Sequence, residues 1–210
     1  MTDAITVSAV VLAAGRASRM GEEKLLLMLG GKPVIRRIVE TVVAARPLET
    51  VVVVNPRNRD PVVAALGGLV PRVICNERFE DGIATSIAAG TAAVSDGSHA
   101  LILVQGDQPL VTTDMLLALV SRWRDGRPAF VAACYGGVTT TPVLFARSLY
   151  PELRVLEGDV GARGVLQRHQ GVTVAFPESA GSDLDTKADY EALRSMWSAK
   201  RLDSHEQRRP

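Results

Sequence analysis

The sequence has few of the residues that mark several common functional classes. Aromatic residues make up 4% of its 210 residues and the formal net charge is +1, so neither a base-stacking surface nor a basic nucleic-acid surface is predicted. No apolar run approaches the roughly 18 residues of a membrane span, and residues 1–4 (MTDA) lack the basic start of a signal peptide. We therefore expect a cytoplasmic protein that binds neither nucleic acid nor membranes.

Cysteine and histidine are also scarce. Cys75 and Cys134 have no Cys or His at metal-ligand spacing, which favours reduced thiols over a disulfide or a zinc site. The three histidines lie before a strand, at the end of a polar helix and in a polar tail: His99, His169 and His205. We assign no catalytic role to any of them, so the chemistry of this protein must come from other groups.

The remaining composition is typical of one globular α/β domain. Hydrophobic residues make up 47% and charged residues 22% of the chain. Runs rich in β-branched residues alternate with helical stretches, which predicts an α/β fold with a mostly parallel sheet and helices on both faces. The predicted strands are 5–12, 50–55, 72–76, 100–106, 129–134 and 171–176.

Local signals divide the chain further. Pro33 and Thr112 each stand where a helix would begin. Residues 135–145 (YGGVTTTPVLF) have a glycine pair and a threonine run between apolar strands, which predicts a small hairpin-like β insertion beside an acceptor pocket. The patternless polar residues 200–210 predict a disordered tail after a single domain over 1–199.

Residues 10–24 (VVLAAGRASRMGEEK) lead from an apolar strand into a loop of small and then basic residues. The small residues 13–15 allow backbone amides to approach a phosphate or a base closely. The glycine spacing matches neither G-x-G-x-x-G nor the P-loop, which argues against a dinucleotide. By itself the stretch is compatible with a triphosphate loop or with an ordinary solvated loop. Its basic residues are Arg16, Arg19 and Lys24.

Two acidic residues are candidates for a metal site. Asp107 follows an apolar strand directly within GDQP, and Asp185 precedes the last helix within SDLDT. Carboxylates at such positions suit a hard cation. Each residue also has an ordinary structural interpretation, Asp107 as a turn residue and Asp185 as the N-terminal cap of the last helix.

Seven motifs in this order resemble the MobA-like nucleotidyltransferase family, and they are most similar to its molybdenum cofactor cytidylyltransferases. The resemblance implies the Rossmann-like fold of nucleotide-diphospho-sugar transferases. It also implies transfer of a nucleotidyl group to a phosphorylated acceptor with release of pyrophosphate. The motifs are LAAGRASRMGEEKLL (12–26), GGKPVIRRIV (30–39), NERFEDGIATSIAAG (76–90), QGDQPLVT (105–112), TPVLF (141–145), GDVGARGVL (158–166) and DLDTKADYEAL (183–193).

The resemblance also implies roles for individual residues. Arg19 and Lys24 would act in catalysis by holding the phosphates, and Asp107 and Asp185 would bind Mg²⁺. The residues implied in nucleotide binding are Leu12, Ala13, Ala14, Gly15, Arg19, Lys24, Ser86 and Asp107. Since cations alone can offset the charge of this reaction, no covalent nucleophile is expected.

The substrates follow less directly from the motifs. The form LAAG is associated in this family with CTP and the form LAGG with GTP, so we expect CTP as the donor. Molybdopterin or the molybdenum cofactor is the implied acceptor, and a molybdenum enzyme is the implied partner. Thr140 and Thr141 precede Pro142 where these cytidylyltransferases usually have Gly-His-Pro, which predicts a reshaped acceptor pocket.

Two other functions are compatible with the resemblance. An NAD(P)H-dependent oxidoreductase is opposed by the missing G-x-G-x-x-G motif and by the two carboxylates, which hydride transfer does not need. A non-catalytic delivery protein for a molybdenum enzyme would be expected to have lost the cations or carboxylates, and this sequence retains them.

Overall fold

The computed structural model describes residues 5–15 and 23–206, with side chains through residue 197. The strands are β1 (Val7–Leu12), β2 (Met28–Leu29), β3 (Lys32–Pro33), β4 (Thr50–Val54), β5 (Arg72–Cys75), β6 (Ala100–Gln105), β7 (Phe130–Tyr135), β8 (Val138–Ala146) and β9 (Val172–Phe176). The α-helices are α1 (Val34–Ala44), α2 (Arg59–Leu66), α3 (Ile83–Ala93), α4 (Thr113–Gly126), α5 (Tyr150–Leu153), α6 (Arg163–Arg168) and α7 (Lys187–Glu206).

Seven strands form one sheet in the order β5-β4-β1-β6-β8-β7-β9. Strand β8 is antiparallel to its neighbours β6 and β7, and the other pairs are parallel. Strands β2 and β3 form a separate two-stranded antiparallel sheet. The predicted α/β class with a mostly parallel sheet is confirmed.

Helices cover both faces of the sheet, as the sequence predicts. On one face, α1, α2 and α4 pack against alternate residues of β1, including Val7 and Val11. On the other face, α3, α5 and α6 pack against the intervening residues, Val10 and Leu12. Because β1 is buried on both faces, its sequence (VSAVVL) is apolar apart from the buried Ser8 and does not alternate between apolar and polar residues.

The predicted helix starts are confirmed at both positions. Pro33 is the N-cap residue of α1, and its fixed φ suits the start of a helix. Thr112 is the N-cap of α4, where its hydroxyl accepts a hydrogen bond from the amide of Met115.

The predicted hairpin over 135–145 is also present. Gly136 and Gly137 connect β7 to β8 with φ values of 54° and 85°, the left-handed backbone that glycine adopts without steric cost. The hairpin is part of the main sheet, because β8 lies between β6 and β7.

The C-terminal helix is longer than the sequence suggests. α7 continues through Glu206, so 200–206 are helical where a disordered tail is expected. The reason is that Lys, Arg, Leu and Glu in this stretch are good helix formers. Residues 207–210 lie outside the described residues, and the domain boundary at 199 stays a prediction. Within the described part of the chain, no helix is both long and apolar enough to cross a membrane.

Candidate active site

The loops after β1 and β6 lie side by side at the carboxyl edge of the sheet. Leu12 pairs with Gln105 at the ends of these strands, and the amide of Gly106 donates to the carbonyl of Leu12 at 2.8 Å. A Cβ at Gly106 would lie 2.9 Å from that carbonyl oxygen, so only glycine allows this approach. The contact places Asp107 beside the predicted nucleotide loop, at the edge where open parallel sheets bind ligands.

Two buried asparagines, Asn55 and Asn58, hydrogen-bond to the backbone of the loop after β1. The Asn58 side-chain amide donates to the carbonyl of Ala13 at 2.8 Å, and that of Asn55 donates to the carbonyl of Ala14 at 3.2 Å. The two asparagines also bind each other, since the backbone amide of each donates to the side-chain oxygen of the other. These bonds fix the loop over residues 13–15 before any ligand binds.

Lys24 contacts both predicted metal ligands. Its Nζ lies 2.5 Å from Asp107 Oδ2 and 2.9 Å from Asp185 Oδ1. The Lys24 and Asp107 side chains are 18% and 14% exposed, so solvent screens this pair only in part. Burial by itself would lower the pKa of Lys24, but the two carboxylates outweigh it and raise the pKa above its ordinary value. The structure therefore brings together three of the predicted site residues.

Asp185 does not act as the cap of the last helix. The Thr186 hydroxyl accepts from the amide of Asp189 at 3.2 Å, and the Asp189 carboxylate accepts from the amide of Thr186 at 2.7 Å. This reciprocal arrangement is a capping box, with Thr186 as the N-cap. The Asp185 carboxylate is therefore available to bind a cation, and here it contacts the ammonium group of Lys24.

Two bonds join the segment that carries Asp185 to the loop that carries Asp107. The amide of Leu184 donates to the carbonyl of Asp107 at 3.0 Å. Gln108, which is fully buried, donates its side-chain amide to Asp183 Oδ1 at 2.8 Å. Burial raises the pKa of Asp183, and the negative charges of Asp107 and Asp185 add to the rise, whereas the hydrogen bond from Gln108 acts against it.

Three buried side-chain atoms near these carboxylates have no hydrogen-bond partner among the described residues. They are Asp107 Oδ1, Gln108 Oε1 and the Tyr135 hydroxyl. Burial, together with the charge of Asp183, raises the pKa of Tyr135 to about 12. Since buried polar atoms are normally paired, unpaired atoms clustered at a sheet edge indicate a site that is completed by a ligand.

The donor set fits a hard divalent cation. Carboxylate oxygens of Asp107 and Asp185 are close enough to contact one ammonium group, and Asp107 Oδ1 is buried without a partner among residues 5–15 and 23–206. Among the described residues, no group of three or more His, Cys, Asp or Glu side chains forms a complete metal site. Mg²⁺ commonly binds one or two carboxylates and takes its other ligands from water and substrate phosphates.

The other predicted residues have different surroundings. Ser86 lies in the first turn of α3, where it is buried and accepts a hydrogen bond from the side-chain amide of Asn76 at 2.9 Å. Thr141 accepts from the side-chain amide of Gln105 at 3.0 Å, at the end of β6. Arg19 lies outside the described residues. The nucleotide contacts implied for Ser86 and Arg19 stay predictions.

Sequence reasoning did not assign Asn58, Gln108 or Asp183 to the site. The bonds that join them to the site cross 45 to 75 positions of the chain, from Asn58 to Ala13 and from Gln108 to Asp183, so no local pattern could identify them. Only their positions in the sequence could have indicated a role in the site. Asn58 and Gln108 lie in loops that follow the buried strands β4 and β6, and Asp183 lies two residues before Asp185.

The Gln108–Asp183 bond supplies a testable prediction. Gln108→Leu should lower the free energy of unfolding by about 1–3 kcal/mol, because the partly buried Asp183 carboxylate loses a charge-assisted hydrogen bond. Urea denaturation measures the change. The control is Gln167→Leu, which replaces an exposed glutamine on α6. Equal stability of both variants and the wild type would contradict the structural role of this bond.

Comparison with other proteins places this chain in a family. The purine catabolism protein PucB of Bacillus subtilis is 30% identical over 202 residues, covering 90% of this chain and 96% of that protein. The nicotine blue oxidoreductase of Paenarthrobacter nicotinovorans is 29% identical over 198 residues, with coverages of 88% and 95%. The molybdenum cofactor guanylyltransferase of Rhizobium meliloti is 31% identical over 176 residues, with coverages of 80% and 78%.

Solved structures share the same architecture. Rv0371c from Mycobacterium tuberculosis has a TM-score of 0.83 and 27% identity, covering 91% of this chain and 98% of that chain. A structure of Rv0371c in complex with manganese has a TM-score of 0.76 and 24% identity, with coverages of 90% and 98%. The family model of the MobA-like NTP transferase domain matches residues 9–173. Lys24 contacts both Asp107 and Asp185 beside the loop after β1. On the family match, this chain belongs to the MobA-like NTP transferase family and is a nucleotidyltransferase.

Proposed function

We propose that the protein transfers CMP from CTP to a phosphorylated small-molecule acceptor in a magnesium-dependent reaction. The observation that carries this proposal is the contact of Lys24 with both Asp107 and Asp185 beside the loop over residues 13–15. This contact supports the proposal because it concentrates one ammonium group and two carboxylates beside the loop that we propose binds the triphosphate.

The reaction needs these groups because every reactant is anionic. An acceptor phosphate oxygen attacks the α-phosphorus, a new P–O bond forms, and the bond to the β-phosphate breaks to release pyrophosphate. Lys24, with Arg19 as its predicted companion, would bind the oxygens that leave with pyrophosphate. A Mg²⁺ ion held by Asp107 and Asp185 would stabilise the charge that develops on the phosphates.

The choice of Mg²⁺ rests on ligand chemistry. The manganese in the Rv0371c complex belongs to that protein, but Mn²⁺ and Mg²⁺ both favour carboxylate and phosphate oxygens. We infer that the carboxylates of Asp107 and Asp185 accept either ion.

CTP and the acceptor are the finer parts of the proposal. Ala13 and Ala14 precede Gly15 in the form associated with CTP, whereas the guanylyltransferase of Rhizobium meliloti makes GTP the competing donor. Molybdopterin, or the molybdenum cofactor, is the proposed acceptor, with a molybdenum enzyme as the downstream partner. Thr141 offers a hydroxyl held by Gln105 in place of an imidazole, which supports a modified acceptor pocket. We propose a cytoplasmic location for this reaction.

The relative named nicotine blue oxidoreductase supports oxidoreductase activity as a second candidate function. An NAD(P)H-dependent oxidoreductase would not need a cation between Asp107 and Asp185, so its binding of nucleotide should be insensitive to magnesium.

Calorimetric titration separates these functions. We expect CTP to bind more tightly with magnesium than without it, because the bound metal neutralises triphosphate charge. We also expect CTP to bind more tightly than GTP, ATP or NADPH, because residues 12–15 have the form LAAG. Tighter binding of GTP than of CTP would make GTP the nucleotide donor and would leave nucleotidyl transfer as the proposed reaction. Binding of NADPH alone, with no effect of magnesium, would overturn the transferase in favour of the oxidoreductase.

A further inference from the structure

Lys24 and the two carboxylates have competing partners. The proposed function requires Lys24 to bind phosphate and Asp107 and Asp185 to bind metal, yet in the structure they bind each other. Two of the three donors that an ammonium group carries can thus be used by carboxylates rather than by phosphate.

The ammonium and a metal ion cannot share this position. Mg²⁺ requires oxygens at about 2.0–2.1 Å, and Lys24 Nζ already lies 2.5 Å from Asp107 Oδ2 and 2.9 Å from Asp185 Oδ1. A divalent ion bound to the same two oxygens would adjoin a positive charge in a partly buried place, where repulsion is weakly screened. Metal binding to Asp107 Oδ2 and Asp185 Oδ1 therefore requires Lys24 to move away.

For a metal ion that binds without nucleotide, the described residues supply few further oxygen ligands to offset that repulsion. In the described part of the chain, the carboxylates that meet Lys24 are those of Asp107 and Asp185, and Asp183 is bonded to Gln108. The remaining ligands of a Mg²⁺ ion would come from water and phosphate. A triphosphate supplies such oxygens and at the same time supplies a competing anion for Lys24.

We propose that Lys24 is the counter-ion that keeps divalent metal out of the Asp107–Asp185 site until a nucleoside triphosphate draws it away. This inference rests on the proposed function and deepens it, since it makes the binding of metal and of triphosphate cooperative. By linkage, each ligand must then tighten the binding of the other by the same factor.

Mn²⁺ titration followed by electron paramagnetic resonance tests this inference on the full chain. Without nucleotide, Lys24→Met should bind Mn²⁺ roughly 5- to 150-fold more tightly than the wild type, the range of typical coupling energies. Lys24→Arg, which keeps the positive charge, should bind Mn²⁺ as weakly as the wild type. Lys32→Met is the matched control, because Lys32 pairs with Glu40 on an exposed surface.

A second series adds the α,β-methylene analogue of CTP, which cannot release pyrophosphate. The analogue should tighten Mn²⁺ binding by the wild type and have a smaller effect on Lys24→Met, in which the site is already open. Equal or weaker Mn²⁺ binding by Lys24→Met in the nucleotide-free series, or no Mn²⁺ binding by either protein, would overturn the inference. Failure of the wild type to bind the analogue at all would instead overturn the proposed function, and the nucleotide-free comparison would still report on Lys24.

Discussion

Asp107→Asn is expected to lower the turnover of the nucleotidyltransferase at least roughly 100-fold, the effect of losing a central electrostatic group. In the proposed function Asp107 would supply a partly buried carboxylate to the metal ion, and the amide of asparagine would replace it with a neutral group of the same shape. The fold should be preserved, because the bond from Leu184 is made to the backbone carbonyl of Asp107. Release of pyrophosphate measures the turnover, and circular dichroism measures the fold.

Asp125→Asn provides the matched control for this change. Asp125 is exposed on α4, so the same loss of one negative charge there should leave turnover unchanged. An Asp107→Asn protein that retained wild-type turnover and its dependence on metal would show that the site has been assigned to the wrong carboxylate.

Asn58→Ala is expected to lower the free energy of unfolding by about 2–4 kcal/mol, because two buried groups lose their partners. They are the carbonyl of Ala13 and the amide of Asn55, each bonded to the Asn58 side chain. The variant should also bind triphosphate more weakly, since the loop over residues 13–15 would no longer be fixed before binding.

Urea denaturation and calorimetry with CTP measure these two effects separately. Gln170→Ala, which removes an exposed side-chain amide, should change neither quantity. If Asn58→Ala lost stability but bound CTP as well as the wild type, the asparagine would support the fold without preparing the loop.

The fold was largely predictable because buried parallel strands have a distinctive sequence. Strands such as β4, which is buried along its whole length, are short continuous runs of β-branched residues, and the stretches between them have helical periodicity. The hairpin was visible from Gly136 and Gly137, but its place inside the sheet was not. A local turn signal specifies which strands are joined and does not specify that β8 also pairs with β6.

The site was predictable only in part, for a related reason. Asp107 was recognisable because it follows a buried strand directly, and Lys24 and Asp185 were recognisable from motifs. Asn58 and Gln108 act through contacts with distant parts of the chain, and isolated polar residues of this kind resemble ordinary loop residues. The capping box of Thr186 was also missed, and it decides that Asp185 is available to a cation.

The bond between Lys24 and Asp185 has a consequence for the order in which this protein folds. The two residues are 161 positions apart, so their contact closes a loop that includes most of the chain. Forming a contact across such a sequence separation costs loop-closure entropy before the contact itself contributes any stability. During synthesis, β1, β4, β5 and β6 precede Asp185, so the parallel half of the sheet can form before the site exists. The contact between Lys24 and Asp185 can therefore form only after the segment that carries Asp185 has been synthesised and has packed beside the loop that carries Lys24.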